Sequence, residues 1–314
     1  TAHERFRAHL SVSSLAASSK EAASSIRAAL SLFKSLGSLA LSIADRQRYA
    51  REEIFAELEK LAPDKIILDV FKMKYDYHNA KVIIKAEAMG QDAKRLMSAS
   101  GRIAPDKLLE IYNEDKISQL PAAFGEALSE AKSTLARTAN PQLADFILDR
   151  AYFAEIRAAA KTLGCPFLDG YANILTDSTN LKSAVRTMRM GKDADFLKTA
   201  LIPDGGVDRG RILAAFGSAD TLAAMYANSQ LADAAAKGAA AAKGGTMTEF
   251  ELACDNAVTA YLTRARLVSY GEAPVIAYLA AVEGEVTALR MILTGLLAGL
   301  PKEKIRERLR DLYA

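Results

Sequence analysis

Apolar residues recur along most of the chain three, four and seven positions apart, which is the spacing of one face of an α-helix. Alternating strand patterns are not convincing anywhere, and the short β-branched stretch IILDV (66–70) lies within a helical pattern. The periodicity therefore predicts an all-α fold. The clearest face is formed by Tyr171, Ile174, Ser178, Leu181, Val185 and Met188. Two similar faces are formed by Tyr75, Val82, Ala86 and Met89 and by Ile276, Leu279, Val282, Val286, Leu289 and Leu293.

One pattern occurs three times, as DYHNAKVIIKAEAMG (76–90), DSTNLKSAVRTMRMG (177–191) and EVTALRMILTGLLAG (285–299). Each copy starts with an acid, has asparagine or alanine three positions later, a base five positions later, and ends on glycine. Repetition on this scale indicates similar structural units. We therefore predict that the repeated residues are structural: Asp76, Asn79, Lys81, Asp177, Asn180, Lys182, Glu285 and Arg290.

The sequences around the three copies also correspond. A helical run precedes each copy and is predicted to begin at Asp45, Asp149 and Asp255. A short helix is predicted after each copy, from about 105, 207 and 301. Three ordered landmarks in each third of the chain predict three similar helical-bundle units. Their boundaries are 1–115, 116–218 and 219–314, with residues 1–20 assigned only loosely.

The acid and the asparagine of the first two copies lie three positions apart and therefore share a helix face. Lys81 lies about 140° around the helix from Asp76 and cannot easily pair with it. We interpret acid and asparagine as a bridge to a neighbouring helix, such as the one expected from Asp45 or Asp149, because buried polar groups fix helix register. A catalytic base at Asp76 or Asp177 is the alternative, which the threefold repetition disfavours.

A row of bases distinguishes the second copy. Lys182, Arg186 and Arg189 lie within about 60° of one another, and Lys192 extends the row by a turn. Two interpretations stay open: a solvated helix face, or a surface that binds acidic groups or helix-end carbonyls of a partner. On the second interpretation, the candidate partner contacts are Arg186, Arg189 and Lys192. Nucleic acid is disfavoured as a partner because aromatic residues do not interleave with the bases.

Composition narrows the possible functions. The 314-residue chain has a formal net charge of +3 and two cysteines, which suits neither a dedicated nucleic-acid binder nor a disulfide framework. Phosphate-binding loops, dinucleotide fingerprints and nucleophile elbows are missing, and the three histidines lack metal-ligand spacing. We therefore predict no catalytic residue, no metal or cofactor and no small-molecule substrate. The longest apolar runs, 274–282 and 291–300, are shorter than the roughly 20 residues of a membrane span.

Two segments outside the repeated pattern have simpler interpretations. The alanine- and glycine-rich stretch 234–245 is predicted to be a helix end that runs into a flexible loop between the second and third units. The stretch KEKIRERLRDLY (302–313) places Ile305, Leu309 and Leu312 on one side, which predicts a packed amphipathic helix. Docking of that helix to a partner is its second interpretation.

Four stretches carry a resemblance to a known family: FKMKYDYHNAKVIIKA (71–86), TDSTNLKSAVRTMRMGK (176–192), FELACDN (250–256) and APVIAYLAAVEGEVTALRMILTGLLAGLPKEKIRERLR (273–310). In this order they resemble the C subunits of V/A-type rotary ATPases, relatives of the eukaryotic V-ATPase d subunit. The resemblance covers about 40–314. One departure is Ala288, which replaces the asparagine of the other two copies.

The resemblance implies three similar helical bundles arranged as a funnel-like socket. It implies a non-catalytic member of the central stalk, peripheral on the cytoplasmic side of the membrane. Such a protein couples a shaft of D and F subunits to the membrane rotor ring of c or K subunits, for ATP-linked transport of H⁺ or Na⁺. From the residues alone, a helical scaffold of another soluble complex and an α-helical enzyme that uses Asp76 or Asp177 stay open.

Overall fold

The computed structural model of the chain describes residues 55–57 and 65–313. The helix predicted from Asp45 and the loosely assigned residues 1–20 lie outside the described residues. Every regular element within the described residues is helical, which confirms the all-α prediction.

The α-helices are α1 (Ile66–Met89), α2 (Pro105–Asn113), α3 (Ala122–Thr138), α4 (Pro141–Leu163), α5 (Pro166–Arg189), α6 (Ala194–Ala200), α7 (Arg209–Ala215), α8 (Ala219–Met225), α9 (Ala232–Ala242), α10 (Met247–Leu262), α11 (Glu272–Leu297) and α12 (Lys302–Arg306). Short 3₁₀ segments span Lys94–Leu96, Ile117–Gln119 and Thr263–Leu267.

The three copies of the sequence pattern form α1, α5 and α11, which we call the repeat helices. At the end of each, the glycine of the pattern adopts a left-handed conformation, with φ of +63° at Gly90, +63° at Gly191 and +70° at Gly299. Glycine suits this position because it has no Cβ to clash in a left-handed backbone. The recurring glycine is therefore a helix stop.

The helices α4 and α10 begin earlier than the sequence landmarks Asp149 and Asp255 suggested. They begin at Pro141 and Met247, so both aspartates lie inside their helices. The side chain of Asn140 accepts a hydrogen bond from the Gln142 amide and caps α4. Proline at the first position then loses no hydrogen bond, because that N–H would lack a helical partner anyway.

Three large clusters of buried residues, and a small fourth one around Ala277, hold the described helices together. One lies between α1, α2, α3 and α4, a second within α5 to α10, and a third joins α1, α4, α5, α10 and α11. The first and third clusters cross the predicted boundary at residue 115, because α4 packs directly on α1. Packing thus joins the three sequence units, and their boundaries stay a prediction of the sequence.

The alanine-rich segment is more ordered than the sequence predicted. Most of it forms α9, which ends at Ala242, and only residues 243–246 connect it to α10. A Cβ atom at Gly238 would lie 2.9 Å from Phe250 Cε2 and 3.1 Å from Val185 Cγ2. The small residues therefore allow α9 to approach α5 and α10 closely, and the segment is core rather than a flexible linker.

The prediction of an amphipathic helix over 302–313 is confirmed for its first turn and is wrong for the rest. The helix α12 ends at Arg306, and residues 307–313 leave the helical conformation. Ile305 packs on Gly295, where a Cβ atom would lie 2.8 Å from Ile305 Cγ1. The following segment is held by polar contacts to α10 and by packing of its last residue. Arg310 Nε lies 2.8 Å from Asp255 Oδ2, the Asp311 amide donates to Asn256, and Tyr313 packs on the buried clusters around α11.

Two helical glycines should respond oppositely to alanine. A Cβ atom at Gly170 would lie 2.1 Å from the Tyr261 hydroxyl, which donates a hydrogen bond to the Phe167 carbonyl. We expect Gly170→Ala to lower the free energy of unfolding by about 1–3 kcal/mol, because the tyrosine must move. Nothing lies within 4 Å of a Cβ at Gly284, so Gly284→Ala should raise it by about 0.5–1 kcal/mol. Urea denaturation measures both, and changes of the same sign would contradict the packing at Gly170.

Candidate partner-binding site at the junction of the repeat helices

The three repeat helices meet around one cavity of about 310 Å³, which we call the central cavity. Lys74 of α1, Leu175 of α5 and Glu283 of α11 all line it. Each of these residues precedes the acid of its sequence copy by two positions. The three repeat helices therefore place equivalent positions of the sequence pattern at the cavity, which is what we mean by saying that they meet in register.

Direct contacts join neighbouring repeat helices beside the cavity. Lys74 Nζ lies 3.2 Å from Glu283 Oε2, and the Tyr75 hydroxyl donates to the same oxygen at 2.5 Å. On another side, the rings of Phe71 and Tyr171 stack with centroids 6.4 Å apart. The first unit thus contacts both other units through α1.

The acid and asparagine of the first copy hold the loop that follows α1. Asp76 is fully buried, and its carboxylate accepts hydrogen bonds from Arg102 Nε at 2.6 Å and from the Ile103 amide at 3.1 Å. Asn79 binds the backbone of Ser98 in both directions: its amide donates to the carbonyl at 2.8 Å, and its oxygen accepts from the N–H at 2.7 Å. The loop is fixed to α1 at both ends, an arrangement that we call a clamp.

The second copy forms the same clamp. The Asp177 carboxylate accepts a hydrogen bond from the Val207 amide at 3.1 Å. Asn180 is fully buried, donates to the Ile202 carbonyl at 2.8 Å and accepts from the Ile202 amide at 2.8 Å. The clamped loops, 98–103 and 202–207, have equal lengths. Each needs glycine at its fourth position, because a Cβ at Gly101 would lie 2.3 Å from Asp76 Oδ1 and one at Gly205 2.5 Å from Asp177 Oδ1.

These contacts correct the predicted role of the acid and asparagine. Among the described residues they bind a loop of their own unit and do not bridge directly to α4, whereas the helix predicted from Asp45 lies outside that part of the chain. In the first unit the clamp nevertheless extends to α4, because Arg102 Nη1 also lies 3.4 Å from Glu155 Oε1 of that helix. In the third unit, α11 and α12 are separated only by residues 298–301, so there is no comparable loop to clamp. The exposed Glu285 and the alanine at 288 are consistent with this difference.

The repeated bases connect one unit to the next. Lys81 of α1 forms an ion pair with Asp149 of α4, and Lys182 of α5 forms the equivalent pair with Asp255 of α10. One turn further along, a second pair accompanies each: Lys85 Nζ–Asp145 Oδ2 and Arg186 Nη2–Glu251 Oε1, both 2.7 Å. Each junction therefore has two parallel ties. Arg290, the equivalent base of α11, is exposed.

The candidate partner contacts of the basic row differ in what they bind. Arg186 pairs with Glu251, as above, and Arg189 Nη1 donates to the carbonyls of Ala241 at 2.8 Å and Gly245 at 2.5 Å. Neither interpretation of the basic row, as a solvated helix face or as a partner-binding surface, accounts for these contacts, because both arginines bind groups of the chain itself. Lys192 is exposed and is the clearest remaining candidate.

A family model described as ATP synthase (C/AC39) subunit matches residues 39–308. The chain belongs to this family. Relatives include the C subunit of a V-type sodium ATPase from Enterococcus hirae, 24% identical over 84% of this chain and 80% of the relative. The C subunit of an A-type ATP synthase from Methanocaldococcus jannaschii is 24% identical over 83% of this chain and 69% of the relative. That of a V-type ATP synthase from Thermus thermophilus is 26% identical over 40% of this chain and 41% of the relative. The resemblance to V/A-type C subunits is confirmed.

Sequence reasoning missed several residues of the junction in this C/AC39 family member. Glu283 has no counterpart acid in the other copies, so its role is recognised from its contacts with Lys74 and Tyr75 in the structure. Asp145 and Glu251 could have been found, since each lies four positions before a landmark aspartate and mirrors the spacing of Lys85 and Arg186 from the repeated lysines.

The buried carboxylates of this C/AC39 family member suit structure better than catalysis. Asp76 and Asp177 bind the chain's own loops, and burial raises the pKa of both carboxyl groups. A general base needs access to a substrate proton, whereas these carboxylates accept hydrogen bonds from Arg102 and from backbone amides. Within the described residues, no group of side chains could hold a metal ion, and no helix is long and apolar enough to cross a bilayer.

The raised pKa of Asp177 predicts a pH effect. Burial is its main cause, opposed by hydrogen bonds from the amides of Val207 and Gly206. The folded state then binds the proton more tightly than the unfolded chain, whose aspartates titrate near pH 3.9. The contribution of Asp177 to the free energy of unfolding should therefore increase as pH falls through the folded pKa. We would measure the free energy of unfolding of wild type and of Asp177→Asn by urea denaturation between roughly pH 7 and pH 4. Wild type should gain stability relative to the variant as pH falls, and a difference that does not change with pH would contradict this.

Proposed function

We propose that the chain is a non-catalytic member of the central stalk, which couples a rotating shaft of D and F subunits to the membrane rotor ring of c or K subunits. Its place would be peripheral, on the cytoplasmic side of the membrane, and the assembled complex would link ATP hydrolysis or synthesis to H⁺ or Na⁺ transport. Family membership over residues 39–308 supports this proposal. The structural observation that supports it is the junction of the three repeat helices, where ion pairs tie each unit to the next.

A coupling element must twist little under load. Two ion pairs one helical turn apart, such as Lys81–Asp149 and Lys85–Asp145, resist both sliding and rotation of α1 against α4. Exposed ion pairs contribute only about 0–1 kcal/mol each to stability. These pairs therefore add little to the free energy of unfolding, and their main effect is to favour one register of α1 against α4. The clamped loops add further fixed contacts along the repeat helices.

The coupling proposal can be tested by reconstitution with the D–F shaft and detergent-solubilised ring of the same organism. Native mass spectrometry should show the chain bound to each, and a complex assembled without it should hydrolyse ATP without ion transport in proteoliposomes. Binding to neither component, or full transport without the chain, would reject the proposal. Stable binding to unrelated soluble proteins alone would instead favour the scaffold interpretation.

Lys192 offers a cleaner test of the basic row than Arg186 or Arg189. Reversing either arginine removes contacts inside the chain, whereas Lys192 is exposed. We expect Lys192→Glu to slow association with an acidic partner surface in low salt, with little change in unfolding, because rim charges act mainly on encounter. Lys302→Glu, another exposed lysine, is the control. Equal association rates for wild type and Lys192→Glu across salt concentrations would remove Lys192 from the interface.

A further inference from the structure

The helix α11 carries an apolar face that is directed away from the central cavity. Its residues lie within about 100° of one another around the helix and are half-buried: Val282, Leu289, Ile292, Leu293 and Leu296. None of them lines the central cavity, and none belongs to a buried cluster within residues 55–57 and 65–313. We call this surface the outer face of α11.

The corresponding surface is fully covered in the other two units. Leu293 corresponds to Ile84 of α1, which is buried in a cluster with residues of α3 and α4, and to Val185 of α5, which is buried with residues of α9 and α10. The chain after α11 does not provide the same cover, because Ile305 of α12 packs on Gly295, on another side of the helix. The cover of the outer face must therefore come from a different place.

The ion pairs between units show how a covering helix lies on a repeat helix. Two pairs join α1 to α4 and two join α5 to α10: Lys81–Asp149, Lys85–Asp145, Lys182–Asp255 and Arg186–Glu251. In both junctions, a step of four residues forward along the repeat helix is a step of four residues backward along the covering helix. The two helices are therefore antiparallel, with a landmark aspartate opposite the repeated base.

The same geometry can be applied to the third unit. Its repeated base is Arg290, which is exposed, and the remaining landmark aspartate is Asp45, which lies outside the described residues. With Asp45 opposite Arg290 in an antiparallel arrangement, position 57 comes opposite Tyr278, because each lies twelve residues from its reference position. Tyr278 is on the same side of α11 as the outer face.

Residues 55–57 lie where this register places them. Phe55 is buried in one cluster with Leu279 of α11. Burial and the Glu285 carboxylate raise the pKa of the Tyr278 hydroxyl, and the carboxylate of Glu57 raises this pKa further, which places Glu57 close to the tyrosine. The chain therefore reaches Phe55 beside the outer face of α11.

We propose that the segment preceding Phe55 lies antiparallel on the outer face of α11, with Asp45 opposite Arg290. The first unit then covers the third as α4 covers α1 and α10 covers α5, so the three units form a closed ring around the central cavity. The segment has the apolar side that such packing needs, because large aliphatic residues recur in it at helical spacing: Leu32, Leu36, Leu39 and Ile43. The arrangement involves this chain alone and does not depend on the coupling function.

Chemical cross-linking in the full chain can identify what covers the outer face. We would prepare Asp45→Cys with Arg290→Cys, treat the native protein at low concentration with a short bismaleimide, and map the products by mass spectrometry. Lys182→Cys with Asp255→Cys is the positive control, since these residues form an ion pair in the second junction. Asp45→Cys with Arg264→Cys, an exposed base outside α11, is the negative control. The native Cys165 and Cys254 are buried and should react little.

The cross-link between positions 45 and 290 should form at least about tenfold more often than the one between 45 and 264, because proximity raises the effective concentration of the two thiols. A yield no higher than that of the negative control would overturn the proposal. A cross-link found only between two molecules would also overturn it, and would assign the outer face to a second copy of the chain.

Truncation of the outer face gives a test that leaves Asp45 and Arg290 unchanged. Leu293→Ala should lower the midpoint of urea denaturation, because it leaves a cavity beneath the covering segment. Leu297→Ala is the control on the same helix: Leu297 is 65% exposed, so its truncation should leave the midpoint unchanged. Equal midpoints for the two variants would show that the outer face is not covered and would overturn the proposal.

Discussion

Replacing Asp76 with alanine should lower the free energy of unfolding by about 3 kcal/mol in urea denaturation at neutral pH. Asp76 is fully buried and is the common acceptor of Arg102 and the Ile103 amide. Truncation leaves a cation and a backbone donor without that acceptor, and an uncompensated buried group costs more than the lost bond itself. Arg102 keeps a contact with Glu155 and is 18% exposed, which places the loss at the lower end of the range for buried pairs.

The third unit supplies a matched control for this experiment. Glu285 occupies the same position of the repeat, but it is exposed and has no clamped loop. Glu285→Ala should therefore change the free energy of unfolding by no more than about 0.5 kcal/mol. Similar losses for both variants would mean that the acid stabilises the repeat helix itself, and the clamp would then lose its assigned role.

The sequence predicted the repeat helices well because their signals are local. Apolar spacing locates the buried face of α5, and glycine at 191 marks its end through a backbone conformation that other residues avoid. The buried polar pair Asp177 and Asn180 was also recognisable, since an acid and an amide at the same two positions recur in α1. The local sequence pattern was therefore enough to identify the polar residues that are buried in the repeat helices.

The partners of those residues could not be read from the sequence. Asn79 binds Ser98 and Asp76 binds Ile103, contacts that depend on how a loop folds back on its helix. Lys81 and Asp149 were each recognised as landmarks, yet their pairing requires the packing of α4 against α1. The spacing of residues in the sequence predicts on which side of a helix a side chain lies. Which residue it contacts there depends on how the helices and loops pack.

Two segment predictions are confirmed only in part, and the two departures share a cause. Residues 234–245 have the composition of a linker, but alanine is also the strongest helix former, and its small side chain allows the close approach at Gly238. Residues 307–313 continue a helical pattern, but contacts of the segment with Asp255 and Asn256 favour a non-helical path. In both cases tertiary contacts decided between conformations that local propensity left close in energy.

Asn180→Asp should be the most damaging conservative change at the clamps, with a loss of about 4 kcal/mol at neutral pH. The new carboxylate could still accept from the Ile202 amide, but it would have no donor for the Ile202 carbonyl, which lies 2.8 Å from the present amide nitrogen. It would also place a charge at a fully buried position. Asn180→Ala, which only leaves backbone groups unpaired, should lose less, about 2–3 kcal/mol.

Acid should partly rescue the aspartate variant and not the alanine variant. Burial disfavours the charged carboxylate, so the folded variant binds a proton more tightly than the unfolded chain, and its stability relative to wild type rises as pH falls toward about 4. The protonated carboxyl can then donate to the Ile202 carbonyl. Asn173→Asp is the control in the same helix. Its oxygen accepts from Arg157 at 2.8 Å, so the added charge has a cationic partner, and although the weak 3.4 Å hydrogen bond to Asp169 is lost, the loss should stay well below that at position 180. Equal losses at positions 173 and 180, or no rescue by acid at 180, would mean that the asparagine does not hold the loop through its amide donor.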